Sequence, residues 1–374
     1  MRVAFVLNVV SEGHDGVGDY TLNLASEFHR DGHEVILICS RSEISFQPPF
    51  RIISIGGSWQ LADFNKAALA LKEVNPDWIF LQYIPGAFNR YTVPWLLIYF
   101  ALRLVRFRTR FITVFHETYV RFDHRKVKYI YISVGQRILA YLLSKFSAQL
   151  ITSIDRYENQ LKRWNKNVTK ILIGSNILPV KISDEEILNI RTIVSPSGGP
   201  IVSTFGLRNH VPLLNVFQEL NKKRPEVTLL ICGNLRADIE NYAPSLKDHI
   251  YITGHQKSEQ VFKYLKTSDV FIILDYVSPE GEGGTCNKSG SLAAAFSTGL
   301  PIIGTQGDMT NGELINEQAL SFVPYNDPFR GSESLLAILN SSEIRNQFKK
   351  KSIDFYKSHL QWNTIFLAYK KIIH

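Results

Sequence analysis

The stretch from Asp269 to Gly304, DVFIILDYVSPEGEGGTCNKSGSLAAAFSTGLPIIG, constrains the fold more than any other part of the chain. Val270 to Leu274 is an unbroken apolar run, the pattern of a strand buried on both faces. A polar loop follows, in which Glu280, Glu282 and Lys288 stand among Gly281, Gly283, Gly284 and Gly290. The small residues Ser291 to Ser297 predict a helix, Gly299 ends it, and Pro301 to Gly304 reads as another short strand. A buried strand, a glycine-rich loop and a helix start belong to an α/β fold. They bring backbone N–H groups to the carboxyl edge of a sheet, where an anion can be held.

The rest of the chain repeats this alternation. Residues 2–9 predict a strand, Ser11 to Gly18 a polar glycine loop, Asp19 to Arg30 a helix and Glu34 to Cys39 a second strand, which together make one βαβ unit. Gly16-Val17-Gly18 reads as a tight, ligand-facing turn. It is not a dinucleotide fingerprint, because the third glycine and a terminal acidic residue on the second strand are missing. Phe64 to Lys72 predicts a helix, Asn75-Pro76-Asp77 breaks it, and Trp78 to Tyr83 is a buried strand. Phe111 to Phe115 is another strand and delivers His116 and Glu117 at its carboxyl end, whereas His124 sits alone in a basic loop. Helices are expected over Val134 to Phe146 and Arg156 to Asn165, with a strand from Gln149 to Ser153 between them. Residues 178–200, with three prolines and two adjacent glycines, read as an interdomain connection.

A second alternating series begins at Ile201–Gly206. Val211 to Leu220 and Ser258 to Leu265 predict helices, Val227 to Cys232 and Ile250 to Ile252 strands, and Gly233 opens a loop. Near the end, Trp362, Ile365, Phe366 and Tyr369 share one helix face. With 374 residues and 45% hydrophobic content, two cores of ordinary size are expected. Cys39, Cys232 and Cys286 are far apart, which fits a reducing compartment and neither a disulfide framework nor a metal site. The opening MRVAFVLNVV reads as a first buried strand rather than a signal peptide, and no apolar run reaches the length of a spanning helix. The net charge of +8 suits an anionic ligand or surface. One segment, Trp95 to Arg110, combines an apolar, aromatic face with Arg103, Arg106, Arg108 and Arg110. It is a candidate for peripheral contact with a membrane.

Several short motifs fall in a telling order: NVVSEGHDGVG (8–18), VFHE (114–117), GSNI (174–177), FGLR (205–208), Gly254-His255, Ser268-Asp269-Val270 and Glu280 to Thr305. In that order and spacing the chain resembles the retaining GT-B glycosyltransferases of family 4. FLQYIP, VFHE and SGSLAAAFSTGLPIIGT look most like the bacterial enzymes of surface-polysaccharide assembly. The resemblance implies an α/β GT-B fold, two Rossmann-like domains with parallel sheets facing across a deep cleft. The expected domains are 1–175 on the acceptor side and 176–355 for the nucleotide sugar, with a helix in 356–374 crossing back to the first. The implied activity is transfer of a hexose, UDP-glucose being the favoured donor and UDP the product, to a glycan or lipid-linked acceptor. No metal or other cofactor and no nucleic-acid partner are expected. The implied place is the cytoplasm, with peripheral attachment at the inner face of the plasma membrane.

The resemblance also assigns roles. Arg208 and Lys288 would offset charge growing on the diphosphate, His116 would orient the transferred sugar, and Glu282 would meet its hydroxyls, with Glu280 as the competing carboxylate. Donor binding would draw on Gly16, Gly18, Asn209, Gly233, Asn287, Ser289, Gly290, Ser291 and Leu292. Two departures stand out. His210-Val211-Pro212-Leu213 occupies the place of the family's usual lysine. Ala294 stands where a ribose-binding glutamate is usual, in a loop about four residues longer than the common form, so Asn287 is the substitute considered for the ribose. An NAD-dependent Rossmann oxidoreductase or epimerase and a noncatalytic assembly partner remain as alternatives.

Overall fold

The computed structural model describes residues 1–11, 13, 15–89, 92–107, 110–122, 126–235 and 243–373. Arg108 and His124 lie outside the described residues. The chain divides into two compact units, Met1–Leu172 with Trp362–His374, and Ile173–Gln361.

The strands of the first unit are β1 (Arg2–Val6), β2 (Val9–Ser11), β3 (Glu34–Cys39), β4 (Arg41–Glu43), β5 (Arg51–Ser54), β6 (Trp78–Tyr83), β7 (Arg110–Phe115), β8 (Gln149–Thr152) and β9 (Val168–Lys170). Seven of them form a parallel sheet in the order β5-β3-β1-β6-β7-β8-β9, and β2 and β4 pair apart from it. Every residue of β6 is buried, Gln82 included, as fits a central parallel strand that is otherwise apolar. The preceding helix, Leu61–Val74, ends where Asn75 takes the left-handed conformation (φ 48°) ahead of Pro76. The C-terminal Trp362–Ile373 helix belongs to this unit. Its predicted face is buried: Phe366 lies edge-on to Phe28, Trp362 packs on Tyr20, and the Tyr369 hydroxyl meets that of Tyr20 at 2.8 Å.

The second unit continues with β10 (Ile201–Phe205), β11 (Thr228–Cys232), β12 (Ile250–Ile252), β13 (Val270–Ile273), β14 (Ile302–Thr305) and β15 (Ser321–Val323), parallel in the order β12-β11-β10-β13-β14-β15. Its core packs the Val211–Lys223 and Pro328–Asn340 helices against this sheet. The segment 178–200 is not a bare connection. It contains the Asp184–Val194 helix, capped by the Ser183 hydroxyl on the Glu186 N–H, with three carboxylates in its first turn. Arg191 ties that helix to Asp269 at 3.1 Å. Prolines at both ends of the segment, Pro179 and Pro196 with Pro200, mask a helix whose start signals are ordinary ones.

Candidate functional site

In the second unit the chain moves outward from β10 through β11 to β12, then returns to the other side of β10 for β13, β14 and β15. β10 and β13 therefore flank the switch point, where a parallel sheet opens a crevice at its carboxyl edge. Arg208 follows β10 and Asp275 follows β13. The Arg208 guanidinium donates through Nη1 to the Phe205 carbonyl at 2.7 Å and through Nη2 to the Ser289 hydroxyl at 3.3 Å, and Nε stands 3.3 Å from Asp275 Oδ1. A planar fork can bond two separated acceptors while its charge faces the Asp275 carboxylate; the compact ammonium of a lysine does not span these positions.

Ser289 caps the Gly290–Thr298 helix, its hydroxyl also accepting from the Leu292 N–H at 3.4 Å. The helix start thus lies beside the arginine, and both favour an anion there. Gly206 permits the approach: its φ is +100°, and a Cβ there would sit 2.5 Å from the Ser291 hydroxyl oxygen. The acidic loop between β13 and the helix is built rather than slack. Ser278 N–H donates to the Glu282 carbonyl at 2.8 Å and Gly284 N–H to the Tyr276 carbonyl at 2.9 Å. Asp308 closes it from outside, accepting from Gly283 N–H and donating its own N–H to the Gly281 carbonyl, each at 2.9 Å. A Cβ on Gly284 would lie 2.4 Å from the Gly307 nitrogen.

Within this loop Glu280 is exposed and accepts from the Ser278 hydroxyl at 2.8 Å, whereas Glu282 is half-buried. Lys288 is half-buried and close enough to Cys286, as is Arg208, to favour its thiolate. Burial outweighs both and pushes that thiol up to about 11, so it stays protonated at neutral pH. Asn287 is fully buried. Its side-chain oxygen accepts from the Ile173 N–H at 2.6 Å and its backbone N–H donates to Asn311 Oδ1 at 2.8 Å, while its Nδ2 has no hydrogen-bond partner among the described residues.

The structure thus gathers Arg208, Lys288, Ser289 and Ser291 around one helix start. It gives others local work: Asn209 caps the Val211 N–H at 3.1 Å, Gly233 takes φ +122° in a bridge to Gly254, and Leu292 and Ala294 are fully buried. Asp275, Asn311 and Asp308 were not singled out from sequence. Asp275 had a signal, since it ends the apolar run. The two others act on partners more than twenty residues away and had none.

The first unit has its own switch point, between β1 and β6. A cavity of about 500 Å³ opens there, lined among others by Asn8, Ser11, Asp15, Arg41, Glu43 and Gln82. Gln82 is only 1% exposed. Its Oε1 lies 2.7 Å from His116 Nε2, and its Nε2 has no hydrogen-bond partner among the described residues. His116 is buried, with the Tyr20 ring edge-on at 5.1 Å, and burial lowers its pKa to about 4. The imidazole is therefore neutral at physiological pH, and with Gln82 Oε1 as acceptor its proton sits on Nε2.

The expected Gly16–Gly18 turn needs correction. Both glycines lie in the first turn of the Gly16–Arg30 helix, which Asp15 caps through the Val17 N–H at 3.2 Å. Gly18 is needed for packing, since a Cβ there would meet the Val9 carbonyl oxygen at 3.0 Å. The cap residue Asp15 borders the cavity, and burial raises its pKa.

Two family models match the chain: Glycosyltransferase Family 4 over residues 14–164, and Glycosyl transferases group 1 over residues 204–355. No curated protein matches. Among solved structures, Alr3699/HepE of Anabaena in complex with UDP is similar at 12% identity with a TM-score of 0.70, over 100% of this chain and 99% of that one. Sucrose-phosphate synthase of Thermosynechococcus elongatus is similar at 16% identity and a TM-score of 0.68, over 100% and 98%. WaaG, described as a glycosyltransferase involved in lipopolysaccharide biosynthesis, is similar at 12% identity and a TM-score of 0.66, over 99% of both chains.

Proposed function

Because the chain is a GT-B-fold glycosyltransferase, we propose that it moves a hexose, glucose first, from a UDP-sugar to a hydroxyl of a glycan or lipid-linked acceptor, with the anomeric configuration retained. The observation that carries this is the Arg208 fork, held by Phe205, Ser289 and Asp275 beside the start of the Gly290–Thr298 helix at the switch point of the second unit. A departing nucleoside diphosphate gains negative charge as the glycosidic bond breaks, and this is where fixed positive charge and helix N–H groups are concentrated. Lys288 adds a point charge. Glu282, half-buried in a braced loop, addresses the sugar hydroxyls, and the free Nδ2 of Asn287 is offered to the ribose side.

In this reading the bond from the anomeric carbon to the phosphate oxygen breaks as the acceptor oxygen approaches the same face, and a leaving phosphate oxygen takes the acceptor proton. The structures with UDP and with UDP-glucose are those of the similar Anabaena protein; for this chain they supply the reason to test uridine donors first. The cavity at the β1–β6 switch point is assigned to the acceptor. Gln82, held by His116, contributes a neutral amide there, suited to hydroxyls, and Asp15 a carboxyl group. We place the enzyme in bacterial polysaccharide assembly in the cytoplasm, with residues 95–110 in peripheral contact with the inner membrane face.

Calorimetric titration with a panel of UDP- and GDP-sugars, followed by product analysis, tests the proposal. UDP-glucose and UDP should bind, and donor turnover should yield a product with retained configuration. Tight NADH binding without any UDP binding would replace this reading with the oxidoreductase one. UDP binding without turnover under any acceptor would favour a noncatalytic partner.

A further inference from the structure

Residues 95–146 contain ten Lys and Arg against two Asp and Glu, whereas the whole chain has 42 and 34. The remaining residues balance at 32 of each, so the entire surplus of positive charge resides in this one segment. Two helices of the first unit, Leu96–Arg106 and Val127–Phe146, form most of it, and neither contains an acidic residue.

The longer helix has two apolar stripes where a surface helix of a globular protein needs one. Gly135, Leu139, Ala140 and Leu143 face the core. Val127, Tyr131, Val134, Ile138 and Tyr141, spaced by four, three, four and three residues, are exposed, Val127 by 83%. The shorter helix continues this surface with Tyr99, Leu102 and Val105, also exposed. The two are joined: Trp95 Nε1 donates to the Tyr131 hydroxyl at 2.8 Å, and Gly135 lets the backbones approach, since a Cβ there would lie 2.9 Å from the Val93 side chain. Arg106, Lys128 and Lys145 rise exposed from the same two helices.

We propose that this two-helix face docks flat on a bilayer surface rich in anionic lipid. Charge complementarity selects the occupant. A second copy of the chain would bring like-charged faces together, and a nucleic acid would leave the apolar stripe uncovered. A lipid surface takes both, with the apolar side chains and tyrosines in the interface and the lysines and arginines at the headgroups. Among the described residues no helix is long and apolar enough to cross a membrane, so the contact is superficial. The larger part of the platform is the Val127–Phe146 helix, beyond the 95–110 segment, and the inference does not depend on which donor the enzyme uses.

Flotation of the full-length protein with phosphatidylcholine vesicles, with and without phosphatidylglycerol, is the test. The protein should float with the anionic vesicles and be released near ~1 M salt, where the screening length falls to about 3 Å. Each basic side chain near such a surface is worth about fivefold in partitioning, so K128Q/K145Q should lower it about 25-fold. V134S/I138S should lower it too, through lost apolar burial. A wild-type far-UV circular dichroism spectrum and urea unfolding midpoint in both variants report intact folding. Absence of flotation with anionic vesicles would overturn the proposal, as would variants that float like the wild type. So would a concentration-dependent dimer abolished by V134S/I138S in a protein that ignores vesicles, or salt-sensitive oligonucleotide binding without vesicle binding.

Discussion

Replacement of Arg208 by alanine separates an electrostatic role at the diphosphate from a merely structural one. The side chain is 16% exposed and Asp275 is 27% exposed, so the pair lies between a surface ion pair, worth about 0–1 kcal/mol, and a charge-assisted bond in the interior, worth about 1.5–3 kcal/mol. Losing it, with the bonds to Phe205 and Ser289 partly replaced by water, should cost about 1–2 kcal/mol out of a total near 5–15 kcal/mol. The variant therefore stays folded. If the fork faces the departing diphosphate, turnover should fall by about 10²–10³, or about 3–4 kcal/mol of transition-state stabilisation. R208K retains the charge but cannot reach the Phe205 carbonyl, the Ser289 hydroxyl and Asp275 with one ammonium group, so it should fall between the two. The assay is UDP release from UDP-glucose with acceptor, set beside urea unfolding of the same preparations. R208A turning over within about twofold of the wild type would refute the reasoning. So would a stability loss larger than the activity loss, which would make Arg208 a brace for the Ser289 cap.

K288A should also lose donor turnover with little change in unfolding midpoint; equal losses in both would place this half-buried lysine in the structure alone. E282Q should impair transfer more than E280Q, because Glu282 is half-buried in the braced loop while Glu280 is exposed and occupied by the Ser278 hydroxyl; an activity assay showing the reverse order would reassign the sugar contact. His116 is held near pKa 4 by burial, below its ordinary 6.5, so the folded protein binds fewer protons than the unfolded chain between those values. Its contribution is therefore undiminished above about pH 6.5 and is lost as the pH falls towards 4, by about 3 kcal/mol in all. Unfolding of H116N across that window should be less pH-dependent than that of the wild type, and parallel curves would refute the assignment. Y369A should destabilise the first unit by about 3–5 kcal/mol, since Tyr369 is fully buried, packs on Phe80 at 5.6 Å and bonds the Tyr20 hydroxyl; denaturant unfolding measures it.

The periodic and apolar runs were legible because their information is local. β13 is an unbroken hydrophobic stretch and β6 is apolar but for Gln82, the pattern of short buried strands, and Trp362, Ile365, Phe366 and Tyr369 mark a helix face without reference to what covers it. Local reading erred where two signals competed. Glycines at 16 and 18 suggested a loop, yet the Asp15 cap carries the helix through them, and Gly18 is there for the packing on Val9. Prolines at the ends of 178–200 suggested a connection and hid the Asp184–Val194 helix.

The site divides in the same way. The amino-acid order alone determined a parallel α/β architecture, an arginine after one strand and a glycine-rich acidic loop before a helix, because strand burial, loop freedom and helix capping each depend on a few neighbouring residues. Only the tertiary structure decided that Arg208 and Ser289, 81 positions apart, share a hydrogen bond, that Asp275 pairs with that arginine, and that Gln82, which lines a cavity, bonds His116. Strand order places those groups side by side, and no sequence spacing encodes it. The same holds for the exposed stripe on the Val127–Phe146 helix. Its apolar residues were visible in the chain, but which of its two faces the core would cover is settled by the packing of that helix in its unit.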